Sequence, residues 1–303
     1  MKLLMLFVAI AVTVPPRIAG AQSLGFISQW GALGAGAGQF NTPIGITTDP
    51  AGRVYVTDYG NARVQIFTAD GVFLSQWSTL GHGFSTPTGV AVSPSGEVYV
   101  SEHSMNRIQV FSSEGAFIRL WGTAGSGPGQ FTGLYGIALG PDGLLYAADT
   151  YNARIQVFTG TGEFVMQWAI NAQPWAVATD PAGRVYVGVG SFVKLYSSTG
   201  SLLAELPMPA GCSTRGIAAT LDRLYVANGG DRVCELTSSG AYVLHVGGRG
   251  SGPGQFNNPT SLCVDAAGNI LVTDTENHRV QKFGDMAVQT VRHTWGRIKA
   301  IYR

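Results

Sequence analysis

One short phrase recurs along this chain, and this repetition constrains the fold more than any other feature. The phrase GRVYVTDYGNARVQIF at residues 52–67 returns in three close copies, at residues 96–111, 143–158 and 268–283. Two degenerate copies lie at residues 183–196 and 222–236. Successive copies are about 40–47 residues apart, a spacing typical of stacked structural repeats. Six copies of one supersecondary unit therefore determine the architecture.

Each copy has the pattern of a four-stranded antiparallel sheet. Around the first copy lie four short segments rich in β-branched and aromatic residues: Pro43–Thr48, Arg53–Thr57, Arg63–Phe67 and Val72–Trp77. Turn sequences such as Asp49-Pro50-Ala51-Gly52 separate them, and no repeat segment shows the period of an amphipathic helix. One such sheet cannot bury both faces alone, whereas sheets packed radially bury each other. The sequence predicts an all-β fold, a six-bladed β-propeller of four-stranded antiparallel blades.

Both ends of the chain offer a last strand for the ring. Segments that resemble a fourth strand outnumber the blades by one, because Leu24–Trp30 and Val288–Trp295 are both available for blade six. We predict that Leu24–Trp30 closes the ring, since its FISQWG closely matches the FLSQW of blade one. This pairing joins the chain ends and removes an open sheet edge.

The repeat resembles that of a known family. The pattern D-x-x-N-x-R-[IV]-Q-x-F occurs at Asp58–Phe67, Asp149–Phe158 and Asp274–Phe283, and it is similar to the NHL repeat. Asn277-His278-Arg279 comes within one residue of the triplet that names the family. The resemblance covers about residues 24–283 and implies a six-bladed propeller of the exported bacterial type.

The N-terminus has the pattern of a secretory signal. Met1-Lys2 precedes the apolar run Leu3–Val14, which is too short to span a membrane, and Ala19-Gly20-Ala21 fits a cleavage site. We expect a signal peptide at residues 1–21, a propeller at residues 22–283 and a basic tail at residues 284–303. The predicted location is secreted or periplasmic.

Charge argues against a nucleic-acid partner, although NHL propellers of larger cytoplasmic proteins can bind RNA on a basic face. Of the 19 lysines and arginines, Lys2 and Arg17 fall in the predicted signal, which leaves 17 against 18 acidic residues. No basic stripe runs through the repeats, so we expect no nucleic-acid binding. We expect a monomeric propeller without a membrane span, whose partner is a protein, peptide or glycan.

Three cysteines are present: Cys212, Cys234 and Cys263. An odd number leaves at least one thiol without a partner in the chain. A disulfide between Cys212 and Cys234 stays open, but strand two should separate them by about 10 Å, so small buried side chains are the preferred interpretation. Their spacing fits no zinc motif, and the sequence predicts neither a metal site nor a cofactor.

The polar motif of the repeat is predicted to be structural. In four blades an acid ends strand two, an asparagine lies in the turn and an arginine opens strand three: Asp58, Glu102, Asp149 and Asp274; Asn61, Asn106, Asn152 and Asn277; Arg63, Arg107, Arg154 and Arg279. An active site is a single place, whereas an element present in four blades serves each blade. We expect left-handed asparagines and acid–arginine pairs. The alternative is a ring of carboxylates that holds a cation.

Departures from the repeat mark the candidate site. The middle residue at the entry of each innermost strand should project toward the mouth of the central channel. Blades three, four and five place Tyr135, Trp175 and Arg215 there, where the other blades have Ile or Thr. Beside the shortened loops of blades four and five, these side chains predict an off-axis pocket for an anionic or aromatic group. The other interpretation is that they fill space left by those loops.

These observations favour a non-catalytic binding or scaffold module that uses its loop face. The family resemblance also implies an alternative, because NHL-like propellers include peptide-amidating lyases with a channel zinc, lyases of cyclic peptide antibiotics and lactonases. No histidine lies on an innermost strand here, and no catalytic residue is assigned. The alternative is a metal-assisted lyase or hydrolase at the channel mouth, with His103 beside Glu102 as the candidate base. His103 joins the candidate ligand-binding residues.

Overall fold

Six antiparallel sheets of four strands each surround a central channel. The computed structural model describes residues 24–78 and 83–285, and Leu24–Gly284 form one compact unit. The first strands of neighbouring blades contact one another around the ring and line the channel. The predicted six-bladed β-propeller is confirmed. Within the described ranges, no helix is long and apolar enough to cross a membrane.

The strands follow the same order in every blade, from the channel outward. The first strands are Pro43–Thr48, Pro87–Val92, Leu134–Leu139, Ala176–Thr179, Thr214–Ala219 and Pro259–Val264. The second strands are Val54–Asp58, Val98–Glu102, Leu145–Asp149, Val185–Val189, Arg223–Asn228 and Ile270–Asp274. The third strands are Arg63–Phe67, Arg107–Phe111, Arg154–Phe158, Phe192–Tyr196, Arg232–Thr237 and Arg279–Asp285. The fourth strands of blades one to five are Phe73–Trp77, Phe117–Trp121, Phe164–Ala169, Leu202–Pro207 and Tyr242–Gly247.

The N-terminal strand Leu24–Trp30 completes blade six by pairing with Arg279–Asp285. The prediction that this segment closes the ring is confirmed. The competing segment 288–295, the predicted signal at residues 1–21 and most of the tail at residues 284–303 lie outside the described residues. Short elements complete the description: 3-10 turns at Tyr59–Asn61 and Thr275–Asn277, and a parallel pair of Thr123–Ala124 with Gln130–Phe131.

Tryptophans interlock neighbouring blades. Trp30 ends the fourth strand of blade six, and a Cβ added to Gly71 in blade one would lie 2.5 Å from Trp30 Cδ2. The glycine has a φ of +85° and leaves the space that the indole occupies. The same contact recurs at three further blade junctions: Trp77 with Gly115, Trp121 with Gly162, and Trp168 with Gly200. Between blades four and five Leu206 replaces the tryptophan opposite Gly240.

Hydroxyl groups join the first strands of neighbouring blades on one side of the ring. Thr57 Oγ1 accepts a hydrogen bond from the Gly45 N–H at 2.7 Å and donates one to the Thr88 carbonyl at 2.8 Å. Two other strand-two hydroxyls make the same link: Ser101 to the Tyr135 carbonyl and Thr273 to the Ile44 carbonyl. Blades three, four and five have no hydroxyl at this position: Ala148, Gly188 and Ala227. The two sides of the ring are therefore joined differently.

A buried polar cluster links strands two and three to the preceding inter-blade loop. Arg63 donates from Nε to Asp58 Oδ2 at 2.7 Å, and Gln65 donates from Nε2 to the Gln39 carbonyl at 2.6 Å. The other guanidinium N–H groups donate to Gln76 Oε1 and to the carbonyls of Ala35, Gly36 and Gln39. The acid–arginine pair recurs in blades two, three and six: Glu102 with Arg107, Asp149 with Arg154, and Asp274 with Arg279.

The structural interpretation of this motif is therefore confirmed. All four acids are fully buried and paired with arginine, so they do not form an open ring of carboxylates. In the part of the chain that the structure describes, no group of three His, Cys, Asp or Glu side chains is placed to hold a metal ion.

The predicted role of the asparagine is wrong in three of the four blades. Asn61 is not left-handed; the next residue, Ala62, is, with a φ of 50°. Asn61 Nδ2 donates instead to the Gly34 carbonyl at 2.8 Å and to Asp58 Oδ2 at 2.9 Å. Ala153 and His278 are the left-handed residues of blades three and six. In blade two the asparagine stands one residue later, and there Asn106 itself has a φ of 50°.

Candidate functional site

The central channel opens beside the long inter-blade loops and the loops between strands two and three. It encloses a cavity of about 450 Å³ lined by the first strands of all six blades. The predicted entry residues all line it: Ile44, Thr88, Tyr135, Trp175, Arg215 and Thr260. Thr275 and Glu276, from the turn of blade six, also line it. The cavity is within the size range of small-ligand sites, about 300–1,000 Å³.

An aromatic cluster occupies one side of the channel mouth, where blades two, three and four meet. The ring centroids of Tyr135 and Trp175 are 4.8 Å apart with an interplanar angle of 61°. The His103 ring lies 4.6 Å from Tyr135, and Tyr151 lies 6.0 Å from His103 and 6.4 Å from Trp175. These tilted and edge-to-face contacts suit aromatic quadrupoles and hold the rings in fixed orientations. Three residues predicted from sequence are thus brought together, and Tyr151 is added to them.

The backbone around Trp175 explains why this ring stands at the mouth. Thr150 Oγ1 donates a hydrogen bond to the Pro174 carbonyl at 2.7 Å, which ties blade three to the entry of blade four. The Trp175 N–H donates to the Gly188 carbonyl at 3.1 Å. In blade four, only Gly190 and Ser191 separate strands two and three, so the loop leaves the indole half-exposed.

Arg215 is the cation of the mouth. Its side chain is exposed, and a Cβ added to Gly229 would lie 3.8 Å from Arg215 Nε, so the guanidinium leans over the shortened loop of blade five. Among residues 24–78 and 83–285, the Arg215 side chain makes no ion pair or hydrogen bond. Burial raises the pKa of Tyr135, with smaller effects of Tyr151 and Tyr59 in the same direction, whereas Arg215 lowers it. The Arg215 guanidinium therefore lies within electrostatic range of the aromatic cluster.

His103 faces the cluster but does not pair with Glu102. The Glu102 carboxylate accepts hydrogen bonds from Arg107, from Gln109 and from the Ser85 N–H at 2.8 Å. His103 and Glu102 therefore do not pair to form the predicted general base. Burial lowers the pKa of His103, which favours the neutral imidazole, and its Nε2 is buried without a hydrogen-bond partner among the described residues.

The other described histidines serve different places. His278 Nδ1 accepts a hydrogen bond from the Thr42 N–H at 3.1 Å and so joins blade six to the loop before blade one. His245 lies on an outermost strand beside the Tyr242 hydroxyl. The prediction that innermost strands carry no histidine is confirmed for the described residues, whereas His82 and His293 lie outside them.

Sequence reasoning missed Tyr151 because it lies in a turn. This residue follows Asp149 by two positions, where blade one has a glycine and blade two a serine. The side chain lies against Gly133, which has a φ of +69° and no side chain of its own. A tyrosine at a turn position that is glycine in blade one and serine in blade two was the available signal.

Comparison with known families agrees with this architecture. Four segments match the family model of the NHL repeat: residues 40–67, 84–111, 133–158 and 256–283. They correspond to blades one, two, three and six. Fold and repeat together define a closed β-propeller built from NHL-type blades. Four of the six blades of this chain are NHL repeats.

Curated relatives match only a short part of the chain. Human NHL repeat-containing protein 3 is 45% identical over 56 residues, which are 18% of this chain and 16% of that protein. Protein lin-41 of Caenorhabditis elegans is 48% identical over 52 residues, which are 17% of this chain and 4% of that protein. These matches reflect the shared repeat and say nothing about the remaining parts of those proteins.

Solved structures resemble nearly the whole propeller. A streptogramin B lyase has a TM-score of 0.64 and 15% identity, over 87% of this chain and 98% of that one. A catalytically inactive virginiamycin B lyase of Staphylococcus aureus with quinupristin has a TM-score of 0.60 and 17% identity, over 87% and 88%. A Bacteroides thetaiotaomicron protein of unknown function has a TM-score of 0.66 and 19% identity, over 87% and 76%. At these identities the likeness establishes the fold.

Proposed function

We propose that this protein is an exported, non-catalytic binding module whose channel mouth takes an aromatic, negatively charged group of a protein, peptide or glycan. The observation that carries the proposal is the Tyr135–Trp175 pair, with ring centroids 4.8 Å apart, beside the exposed guanidinium of Arg215. Packed aromatic rings offer apolar area at low cost in conformational entropy. A guanidinium without a partner among the described residues offers charge-assisted hydrogen bonds to a carboxylate.

The size of the cavity suits a small molecule or one inserted group of a larger ligand. A volume of about 450 Å³ accommodates a single large side chain or a ring-sized group. The rest of a larger ligand then lies across the loop face, where rigid strands position the loops. The N-terminal sequence pattern supports export, which we propose together with the binding role.

Small probes test the chemistry of the mouth. N-acetyl-tryptophan and its uncharged amide, N-acetyl-tryptophanamide, are titrated into the protein and followed by calorimetry. We expect the carboxylate to bind about tenfold more tightly, because a hydrogen bond to a charged group contributes about 1.5–3 kcal/mol. Arg215→Ala should remove that difference, and Trp175→Ala should weaken both probes, with no fall in Tm for Arg215→Ala.

The matched control is Arg232→Ala, which removes another exposed arginine of the same blade. It should bind both probes as the wild type does. Unchanged binding in Arg215→Ala and Trp175→Ala would rule out the mouth as the ligand site, and a loss of Tm equal to the loss of binding would make both residues structural.

A second candidate is a lyase or hydrolase at the same mouth, favoured by the buried Nε2 of His103, which has no hydrogen-bond partner in the described part of the chain. A neutral imidazole accepts a proton, as a general base must. The test is incubation with quinupristin, the cyclic peptide bound by one structural neighbour. Ring opening seen by mass spectrometry, and lost in His103→Ala, would favour this candidate over the binding module.

A further inference from the structure

Blade five brings two cysteine sulfurs together. The Cys212 and Cys234 Sγ atoms are 2.9 Å apart, and both side chains are buried. Nonbonded heavy atoms are ordinarily about 3.5–4.0 Å apart, and a disulfide bond is about 2.05 Å. Both side chains are buried, as the sequence predicted, and both thiols are unbonded in this structure, so the alternative of a disulfide stays open.

The predicted separation of these two cysteines, about 10 Å, is wrong. That estimate placed Cys212 beside strand one, with strand two in between. Cys212 lies instead in a loop that passes over the end of the blade and reaches strand three directly. The inter-blade loops of the regular blades follow the same path, as the bond from Gln65 on strand three to the Gln39 carbonyl shows.

Cys234 occupies the glutamine position of the buried polar cluster, and Cys212 occupies the position of a loop residue that contacts the cluster. Cys234 stands two residues after Arg232, as Gln65 stands two residues after Arg63. Cys212 stands two residues before the first strand, as Asn41 does in blade one, where its N–H donates to Asp58 Oδ1 at 2.7 Å.

The buried acid of the cluster is also replaced in blade five. Asn228 replaces the buried acid, and its Nδ2 donates to the sulfur of Cys212 at 3.2 Å and to that of Cys234 at 3.3 Å. Arg232 is exposed, so a carboxylate at residue 228 would lack the cation that the other blades provide. A neutral amide next to two sulfurs avoids an unpaired buried charge.

We propose that Cys212 and Cys234 form a disulfide that takes the place of the acid–arginine–glutamine cluster in blade five. One thiolate attacks a disulfide R–S–S–R from a small-molecule or protein exchange partner and releases one R–S⁻. The second thiolate attacks the mixed disulfide, forms the Cys212–Cys234 bond and releases the second R–S⁻. The two thiols lose two protons and two electrons in total, and R–S–S–R is reduced to two thiols.

The bond has a mechanical consequence at the channel mouth. Cys212 lies three residues before Arg215, and the intervening Thr214 opens the first strand. The disulfide anchors this loop to strand three, as the polar cluster does in the regular blades. Oxidation should therefore reduce backbone hydrogen exchange in residues 208–214.

Peptide mapping tests the proposal. The protein is equilibrated in reduced and in oxidised glutathione buffers, quenched with acid, alkylated and digested with trypsin. We expect the oxidised sample to yield peptide 195–215 linked to peptide 233–249, at a mass about 2 Da below the sum of the two. Closing this loop should raise Tm by about 5–10 °C relative to the reduced protein.

The variant Cys263→Ser is the matched control, because it removes the third cysteine and should keep the linked peptides. Cys234→Ala should abolish them. The comparison of oxidised with reduced wild type needs no substitution, so it stands even where a variant fails to fold. Peptides 195–215 and 233–249 that remain separate and alkylated in oxidised glutathione would overturn the proposal, as would a linkage through Cys263.

Discussion

Blades one, two, three and six differ from blades four and five in the polar cluster between strands two and three. The first group buries an acid, an arginine and a glutamine between strands two and three, as Asp58, Arg63 and Gln65 do in blade one. The equivalent residues are Val189, Phe192 and Lys194 in blade four, and Asn228, Arg232 and Cys234 in blade five. The family model of the NHL repeat matches the first group alone.

This difference shows how a propeller gains a site without losing its ring. Each polar cluster belongs to a single blade and its preceding loop, so two blades can lose it while the others keep it. The two irregular blades have shorter loops after strand two, and they supply Trp175 and Arg215 to the mouth. The regular blades supply the repeated scaffold together with Tyr135, Tyr151 and His103, and the irregular blades add Trp175 and Arg215 to the mouth.

The largest expected effect comes from the buried arginine of a regular blade. Arg63 is 4% exposed, and its guanidinium donates to Asp58 and to loop carbonyls. Arg63→Ala leaves the carboxylate buried and unpaired, so we expect the free energy of unfolding to fall by about 3–5 kcal/mol. Urea denaturation followed by circular dichroism measures it.

Arg232→Ala is the control at the equivalent position of blade five. That side chain is exposed, so its removal should change the free energy of unfolding by no more than about 0.5 kcal/mol. Equal losses at the two positions would contradict the distinction between regular and irregular blades.

A smaller effect should come from the tryptophan junctions. Gly71→Ala places a Cβ 2.5 Å from Trp30 Cδ2 at a φ of +85°, so the indole or the blade must move. We expect a loss of about 2–4 kcal/mol, the sum of the positive-φ cost and overpacking. Gly52→Ala is the control, because its φ is +81° and no atom lies within 4 Å of the added Cβ. It should cost about 1 kcal/mol, measured as above.

The same substitution compares the two regions of the ring. At the junction of blades four and five, Leu206 Cδ2 would lie 2.9 Å from a Cβ on Gly240. A leucine side chain can rotate away more easily than an indole, so Gly240→Ala should fall between the two variants above. A loss in Gly71→Ala no larger than in Gly52→Ala would show that the indole contact is not tight.

The sequence predicted the features that recur from blade to blade, but not the paths of the loops that connect them. The blades, the acid–arginine pairs and the closing strand Leu24–Trp30 follow from patterns that recur, and recurrence itself reveals them. Tyr151 and Cys212 lie in connections without a periodic pattern, so their neighbours depend on the path of the loop in space. The left-handed residue was misplaced by one position for the same reason, because a turn sequence allows either choice.

The smallest expected effect concerns His103, where a regular blade meets the aromatic side of the mouth. Burial lowers the pKa of His103, so below about pH 6.5, the ordinary value, the unfolded chain binds a proton that the folded protein disfavours. The free energy of unfolding should therefore fall as the pH decreases from 6.5 through the lowered pKa, and stay unaffected above 7.

His103→Phe keeps an aromatic ring beside Tyr135 and should lose less stability than the wild type between pH 7 and 5. Urea denaturation across this range measures it, with the exposed His245→Phe as control. If the free energy of unfolding falls equally in His103→Phe and in the wild type between pH 7 and 5, burial of the imidazole has no effect on stability. The side of the mouth formed by blades two and three would then be as exposed to water as the surrounding loops.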